Sequence, residues 1–184
     1  MKIVILDRDG VINHDSPSFI KNESEWIPID NSIEAIAILC QHNYNVIVCT
    51  NQSAVGRKLL SLEELQAINK KMISTINAAG GKLAAIFYCP HVAEDNCMCR
   101  KPKSGMLLNI SAQFKIQDFS SVHMVGDSLR DLLAIHNVGG IPVLVKSGNG
   151  QQTLYNKLPH NTIIFNDLYD FTQYLIKDTR YEKK

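Results

Sequence analysis

Four short apolar runs, each cut off by polar residues, punctuate this chain: Ile3 to Leu6 before "DRDG", Val46 to Cys49 before "TNQS", "LAAIFY" before "CPH", and "SVHMV" before "GDSLRD". "IPVLV" and "TIIF" extend the series. Runs that are apolar at successive positions read as strands buried on both faces, which need helices above and below them. Helical patterns lie between them. Residues 33–39 suit a largely buried helix with Asp30, Asn31 or Ser32 as N-cap, and Ser61 with Glu64 forms a capping box that opens a helix through about Ala79, ended by Gly80 and Gly81. A further helix starts at Ser104 or Gly105 and runs to about Phe114.

The alternation predicts an α/β fold: one doubly wound, Rossmann-like, mostly parallel sheet with helices on both faces and no large cap domain. One domain over residues 1–178 and a polar tail at 179–184 follow from the pattern. In such a sheet, ligands bind at the C-terminal ends of the strands, where each polar tetrapeptide sits. The longest stretches without periodicity, residues 13–30 and 89–103, leave strand ends at that edge and stand over one site.

Nineteen basic and eighteen acidic residues leave a net charge of +1, so no broad field points to nucleic acid or a membrane surface. No apolar stretch is long enough to span a bilayer, and the first residues carry no leader pattern. The expectation is a cytoplasmic monomer whose five cysteines stay reduced.

The strand exits gather the carboxylates Asp7, Asp9, Asp127 and Asp131 with Thr50, Asn51 and the cation Lys101. Clustered carboxylates repel one another unless a hard cation neutralises them, and Mg²⁺ is the expected one. Such an ion with Lys101 would stabilise a transferring phosphoryl group. Gly10 allows a sharp turn below that site, and Gly126 allows close approach beside Asp127. In "YCPHVAEDNCMCRKP", Cys89, His91, Cys97 and Cys99 form a Cys₃His set of the structural-zinc type, although their one-residue spacing is tighter than usual. Cys40 and Cys49 are expected in the core, and His42 and His136 near helix ends.

Taken in order, Asp-x-Asp-Gly, Thr-Asn-Gln, Lys-Pro and Gly-Asp-x-x-x-Asp resemble the motifs of the haloacid dehalogenase-like phosphohydrolases across the whole chain. That resemblance implies Asp7 as a nucleophile forming an aspartyl-phosphate and Asp9 as general acid and base. It implies Mg²⁺ held by Asp7, the Asp9 main-chain carbonyl and Asp127, with Asp131 either in the metal's water shell or orienting Lys101. Thr50 and Asn51 would bind phosphoryl oxygens, Gln52 and Ser53 complete the same substrate-facing motif, and Lys101 would neutralise the phosphoryl charge.

More narrowly, "LDRDGVIN", "TNQS", "YCPH", "CRKP" and "VGD" are similar to the D-glycero-D-manno-heptose 1,7-bisphosphate 7-phosphatases, with histidinol-phosphate phosphatases as relatives. This implies a small sugar bisphosphate as substrate, a place in making nucleotide-activated heptose for the lipopolysaccharide core, and a structural Zn²⁺ that stiffens the loop before Arg100 and Lys101. Arg57 and Arg100, with Lys103 as a third candidate, are placed to bind a second anionic group; Asn13, Asp15 and Ser53 are candidates for sugar hydroxyls. Arg57 favours a bisphosphate over histidinol phosphate, whose cationic groups need an acidic pocket. One departure stands out: Ser128 occupies a position beside the motif aspartate where a basic residue is often found. A signalling receiver domain also collects Asp, Thr and Lys, but an Asp two residues after Asp7 favours turnover over storage of the phosphoryl group.

Overall fold

A computed structural model of the chain describes residues 1–178; the polar tail expected at 179–184 lies outside them. Six strands form one parallel sheet: β1 (Lys2–Leu6), β2 (Tyr44–Asn51), β3 (Leu83–Cys89), β4 (His123–Gly126), β5 (Ile141–Val145) and β6 (Ile163–Phe165). Their spatial order is β3-β2-β1-β4-β5-β6, and each neighbouring pair runs parallel. The order reverses between β1 and β4, and the crevice outside the strand ends at such a switch point is where ligands bind. Asp7 and Asp127 follow those two strands directly.

Alternation within each strand divides the core. Val4, Leu6, Val46, Val48, Val125 and Val143 face one layer, built with α1 (Ser32–Gln41), α3 (Leu62–Ala78) and α7 (Leu168–Asp178). Ile3, Ile5, Ile47, Cys49 and Met124 face the other, against α4 (Gly105–Phe114) and α5 (Leu129–His136). Continuous apolar runs are thus what a sheet covered on both faces demands.

The Ser61–Glu64 capping box forms as expected, with Glu64 N donating to Ser61 Oγ at 3.1 Å and Ser61 N to Glu64 Oε2 at 2.7 Å. The N-cap of α1 is Asn31, whose φ of 61° places it in the left-handed region. Two short helices complete the chain, α2 (Ser53–Gly56) and α6 (Gly150–Thr153). The helix expected after "IPVLV" is therefore a single turn, because residues 146–149 are drawn over the strand ends instead: Ser147 Oγ donates to Gly10 O at 2.7 Å. Cys49 is fully buried and Cys40 only half-buried, while His42 caps α1 through a 2.9 Å contact of Nδ1 with Ile38 O. His136 is exposed in the last turn of α5.

No inserted cap domain interrupts the described residues. Residues 13–30 fold back as a loop pinned by an antiparallel bridge of Asn13 with Pro28 and by a bond from His14 N to Ile27 O at 2.9 Å. Phe19 and Ile20 from this loop wall the cavity described next.

Candidate active site

A cavity of about 320 Å³ opens above the β1–β4 switch point, lined by residues from both long loops and from the ends of β1, β2 and β4. At its floor Lys101 is 2 % exposed, and its ammonium lies 3.0 Å from Asp7 Oδ1, 2.6 Å from Asp131 Oδ1 and 2.6 Å from Cys49 O. Asn51 holds the peptide of Lys101 from both sides: Oδ1 accepts from Lys101 N and Nδ2 donates to Lys101 O, each at 3.1 Å. The Lys101–Pro102 peptide bond is cis.

Asp7 Oδ1 also accepts from Arg8 N at 2.8 Å. Burial, reinforced by Asp131, raises the Asp7 carboxyl above its ordinary range against the opposing pull of Lys101. Burial opposes the charge of Lys101 as well, but Asp131 and Asp7 outweigh it and hold the ammonium above its usual value. At Asp131 burial is outweighed by Lys101, which keeps that carboxyl below its usual range. Asp131 also accepts from Ser128 N and Oγ at 3.1 and 2.8 Å as the cap of α5, so it orients Lys101 through one oxygen and caps the helix through the other.

Asp127 Oδ2 accepts from Asn149 N at 2.7 Å, whereas Oδ1 is buried without a hydrogen-bond partner. Oxygen atoms of Asp7, Asp127 and Asp131 lie within 4.8 Å of one another. An orphaned carboxylate oxygen in a cluster of three acids is the donor set a hard divalent cation requires, so the residues fit Mg²⁺. Gly10, at φ +81°, and Gly126 make the cluster possible: a Cβ on the first would collide with the Asp127 carboxylate and on the second with the Asp131 side chain.

Asp9 stands at the rim with four donors around it. Oδ1 accepts from Arg8 Nε at 3.1 Å and Asn13 Nδ2 at 2.9 Å, and Oδ2 from Arg8 Nη2 at 3.0 Å and Gln52 Nε2 at 2.8 Å. Gln52 further donates to Thr50 Oγ1 at 3.0 Å and accepts from Arg8 at 2.9 Å. Gln52 is thereby tied to Asp9 and Thr50. Two sequence expectations change. Asn13 is fully buried with both amide ends bonded inside the protein, so it is not available to sugar hydroxyls. Arg57 is exposed and is not part of the cavity wall: its N–H closes the turn of α2 on Ser53 O at 2.9 Å, and its side chain is left to solvent.

Asp15, Ser53 and Arg100 do line the cavity, and Asp15 Oδ2 accepts from Asn149 Nδ2 at 3.0 Å. Lys103 instead binds the Asn96 carbonyl at 2.8 Å. Arg8, Arg130 and Asn149 line the cavity without having been singled out from sequence. Arg130 extends from the first turn of α5, two positions beyond Ser128, and the departure at Ser128 was the one signal that pointed toward it.

The four zinc-type residues converge. Cys99 Sγ lies 3.3 Å from Cys89 Sγ and 3.4 Å from Cys97 Sγ; His91 Nδ1 lies 3.3 Å from Cys99 Sγ and 3.6 Å from Cys89 Sγ. Tetrahedral Zn²⁺ with sulfur at about 2.3 Å needs sulfur separations of about 3.8 Å, so small movements complete the set. With four protein ligands the ion would be structural.

Two outcomes follow from this geometry. Protein purified without chelator is expected to carry about one zinc per chain, and Cys99→Ser to lose it and melt at lower temperature; elemental analysis finding no zinc in the parent would overturn the assignment. Burial, then Asp131 and Asp7, push Asp127 up to about 7. An acid whose folded pKa is raised holds its proton more tightly when folded, so the metal-free protein loses stability as pH rises from about 4 to about 7. Mg²⁺ must displace that proton, and the rise in melting temperature from a fixed Mg²⁺ concentration should be larger at about pH 8 than at about pH 5.5. Equal rises at both would remove Asp127 from the metal.

The family described as polynucleotide kinase 3 phosphatase matches residues 2–134, and the HAD-hydrolase-like family matches residues 98–171. The chain is 48% identical to D-glycero-beta-D-manno-heptose-1,7-bisphosphate 7-phosphatase of Neisseria meningitidis over 181 residues, covering 97% of this chain and 96% of that protein. Its counterpart in Pseudomonas aeruginosa is 48% identical over 166 residues, 90% of this chain and 93% of that one. Among solved structures, D,D-heptose 1,7-bisphosphate phosphatase from B. bronchiseptica, complexed with magnesium and phosphate, superposes with a TM-score of 0.95 at 44% identity over 97% of this chain and 99% of that one. The β1–β4 aspartate site, the Cys₃His loop and this likeness over nearly the full length together make the chain a member of the D-glycero-β-D-manno-heptose-1,7-bisphosphate 7-phosphatase family of haloacid dehalogenase-like hydrolases.

Proposed function

We propose that this chain hydrolyses the 7-phosphate of D-glycero-β-D-manno-heptose 1,7-bisphosphate. The observation that carries the reading is a cavity with an aspartate–lysine phosphoryl site at its floor and two arginines, Arg100 and Arg130, on its wall. Relatives of the same name match almost the whole chain, which supports the same substrate. A monomer working in the cytoplasm is part of this reading; that none of the five cysteines is in a disulfide supports the reducing compartment.

In the proposed reaction both bonds to Asp7 fall on Oδ1, leaving Oδ2 to attack phosphorus. The new Oδ2–P bond forms as the bond from phosphorus to the sugar oxygen breaks, and Asp9, which must enter this step as the neutral acid, delivers its proton to that oxygen. Asp9 then takes a proton from water, whose oxygen attacks the same phosphorus; the Asp7–phosphorus bond breaks, phosphate leaves and both carboxyl groups return to their starting states. Asp7, the Asp9 main-chain carbonyl and Asp127 would hold Mg²⁺, which would supply positive charge for the phosphoryl oxygens. Lys101 and the Thr50 hydroxyl complete their surroundings. Asn51 acts indirectly, since its side chain is committed to the Lys101 peptide.

The test is phosphate release from heptose 1,7-bisphosphate, fructose 1,6-bisphosphate and histidinol phosphate. A preference for the first of about a hundredfold or more, which is about 2.7 kcal/mol of transition-state stabilisation, is expected, with none released by Asp7→Asn. Faster turnover of histidinol phosphate would transfer the chain to the other activity.

The second phosphate separates the arginines. Arg100→Ala and Arg130→Ala each forfeit charge-assisted bonds worth about 1.5–3 kcal/mol and should lower kcat/KM for the bisphosphate by about ten- to over a hundredfold. p-Nitrophenyl phosphate has no second anion and should be hydrolysed at close to the parent rate. Arg57→Ala should leave both substrates nearly unchanged. Equal losses on the two substrates for Arg100→Ala and Arg130→Ala would remove the second-phosphate subsite.

A further inference from the structure

Asn13 sits between Asp9 and Trp26 in a way that settles the direction of its amide. The oxygen and nitrogen of an asparagine amide fill nearly the same space, so its orientation is read from its partners. Trp26 Nε1 lies 3.0 Å from one end, and an indole N–H only donates; the Asn13 oxygen therefore faces Trp26. The NH₂ group is left to donate to Asp9 Oδ1 and to His14 O, each at 2.9 Å. Trp26 is 1 % exposed and Asn13 is fully buried, so water does not compete for these bonds.

Trp26 is held in turn from another element. Lys71 of α3 donates to Trp26 O at 2.9 Å and to Glu23 O at 2.6 Å, and its ammonium stands 5.7 Å from the centroid of the Trp26 ring. A continuous set of contacts thus runs from α3 through the 13–30 loop to Asp9. Without the indole N–H, the Asn13 oxygen is left buried with no donor, and the amide loses the contact that holds its NH₂ group against Asp9.

We propose that Trp26 is a positioning residue for Asp9, acting through the Asn13 amide and anchored by Lys71. The proposal rests on the reading of Asp9 as the proton donor to the leaving oxygen. Loss of positioning then matters in proportion to how much the leaving group needs a proton. A sugar alkoxide needs one; p-nitrophenolate departs without help. Because kcat/KM reports only steps up to departure of the leaving group, the later hydrolysis of the aspartyl-phosphate does not blur the comparison.

The experiment measures kcat/KM for heptose 1,7-bisphosphate and for p-nitrophenyl phosphate in the parent, Trp26→Phe, Asn13→Ala, the double variant and Asp9→Asn. Phe keeps a six-membered ring and removes the fused pyrrole ring with its N–H; the cavity left behind acts on both substrates alike, so the comparison between them isolates the hydrogen bond. Trp26→Phe should lose about tenfold on the sugar substrate, a part of the roughly 10²–10⁴ that a positioned acid contributes, and less than about twofold on the aryl one. The double variant should be no worse than Asn13→Ala alone. Equal losses on both substrates, or losses that multiply in the double variant, would overturn the proposal. If Asp9→Asn itself fails to discriminate between the substrates, it is the assignment of Asp9 as acid that falls. Should Trp26→Phe not fold, Lys71→Met carries the test: a selective loss on the sugar substrate supports the chain of contacts, and unchanged activity on it overturns the proposal.

Discussion

A buried ammonium between two buried carboxylates organises this site. Asp7, Asp127 and Asp131 bring oxygens within 4.8 Å of one another where β1 and β4 end, an arrangement that burial and mutual repulsion both oppose. Lys101, at 3.0 Å from Asp7 and 2.6 Å from Asp131, offsets much of that cost. Removing one partner of such a buried pair costs about 3–5 kcal/mol, because the other is left uncompensated. The same cation sorts the acids. Asp131 is held ionised as its counter-ion, while the carboxyls of Asp7 and Asp127 remain raised.

Lys101 does not come from the sheet, and the path by which it arrives explains the longest irregular segments. It follows the Cys₃His cluster by two residues, and Asn51 at the end of β2 pairs with both of its peptide groups. The start of α4 is tied back to the same loop by the bond from Gly105 N to Met98 O at 3.0 Å. A flexible loop would deliver a lysine to a buried position only at a large cost in conformational entropy. A zinc ion held by Cys89, His91, Cys97 and Cys99 would remove much of that freedom beforehand. Arg100 precedes Lys101, so one stiffened loop supplies a cation to the floor of the cavity and another to its wall.

What was legible in the sequence was what short-range pattern encodes. Continuous apolar runs identify strands covered on both faces, Ser61 with Glu64 marks a helix start, and the polar tetrapeptides fall where strands end. The remaining parts of the site depend on contacts between distant segments: Gln52 with Arg8, 44 residues apart, Asn149 with Asp15, 134 apart, and Ser147 with Gly10, 137 apart. No local pattern marks such partners. Arg57 and Asn13 show the converse limit. Both stand next to recognisable motifs, but adjacency does not determine side-chain direction; the α2 turn leaves the Arg57 side chain in solvent, and Trp26 bonds Asn13 in the interior.

The chain as a whole is almost neutral, so recognition of a sugar with two phosphates, the substrate proposed above, has to be built locally. Arg8 lines the cavity but is paired with Asp9, so it adds little net charge. Arg100 and Arg130 are different. Arg100 makes its hydrogen bond to a neutral carbonyl, His91 O at 3.2 Å, and Arg130 sits where the combined field of Asp131, Asp7, Asp127 and Asp15 favours a cation. The cavity is therefore dipolar, with the aspartate cluster at and beneath its floor and guanidinium groups along the wall. An anion bound at the wall compensates charge that a monophosphate leaves exposed. Selectivity for two phosphates can thus be achieved without a cap domain, because the second phosphate completes the electrostatics of the site instead of being enclosed by added chain.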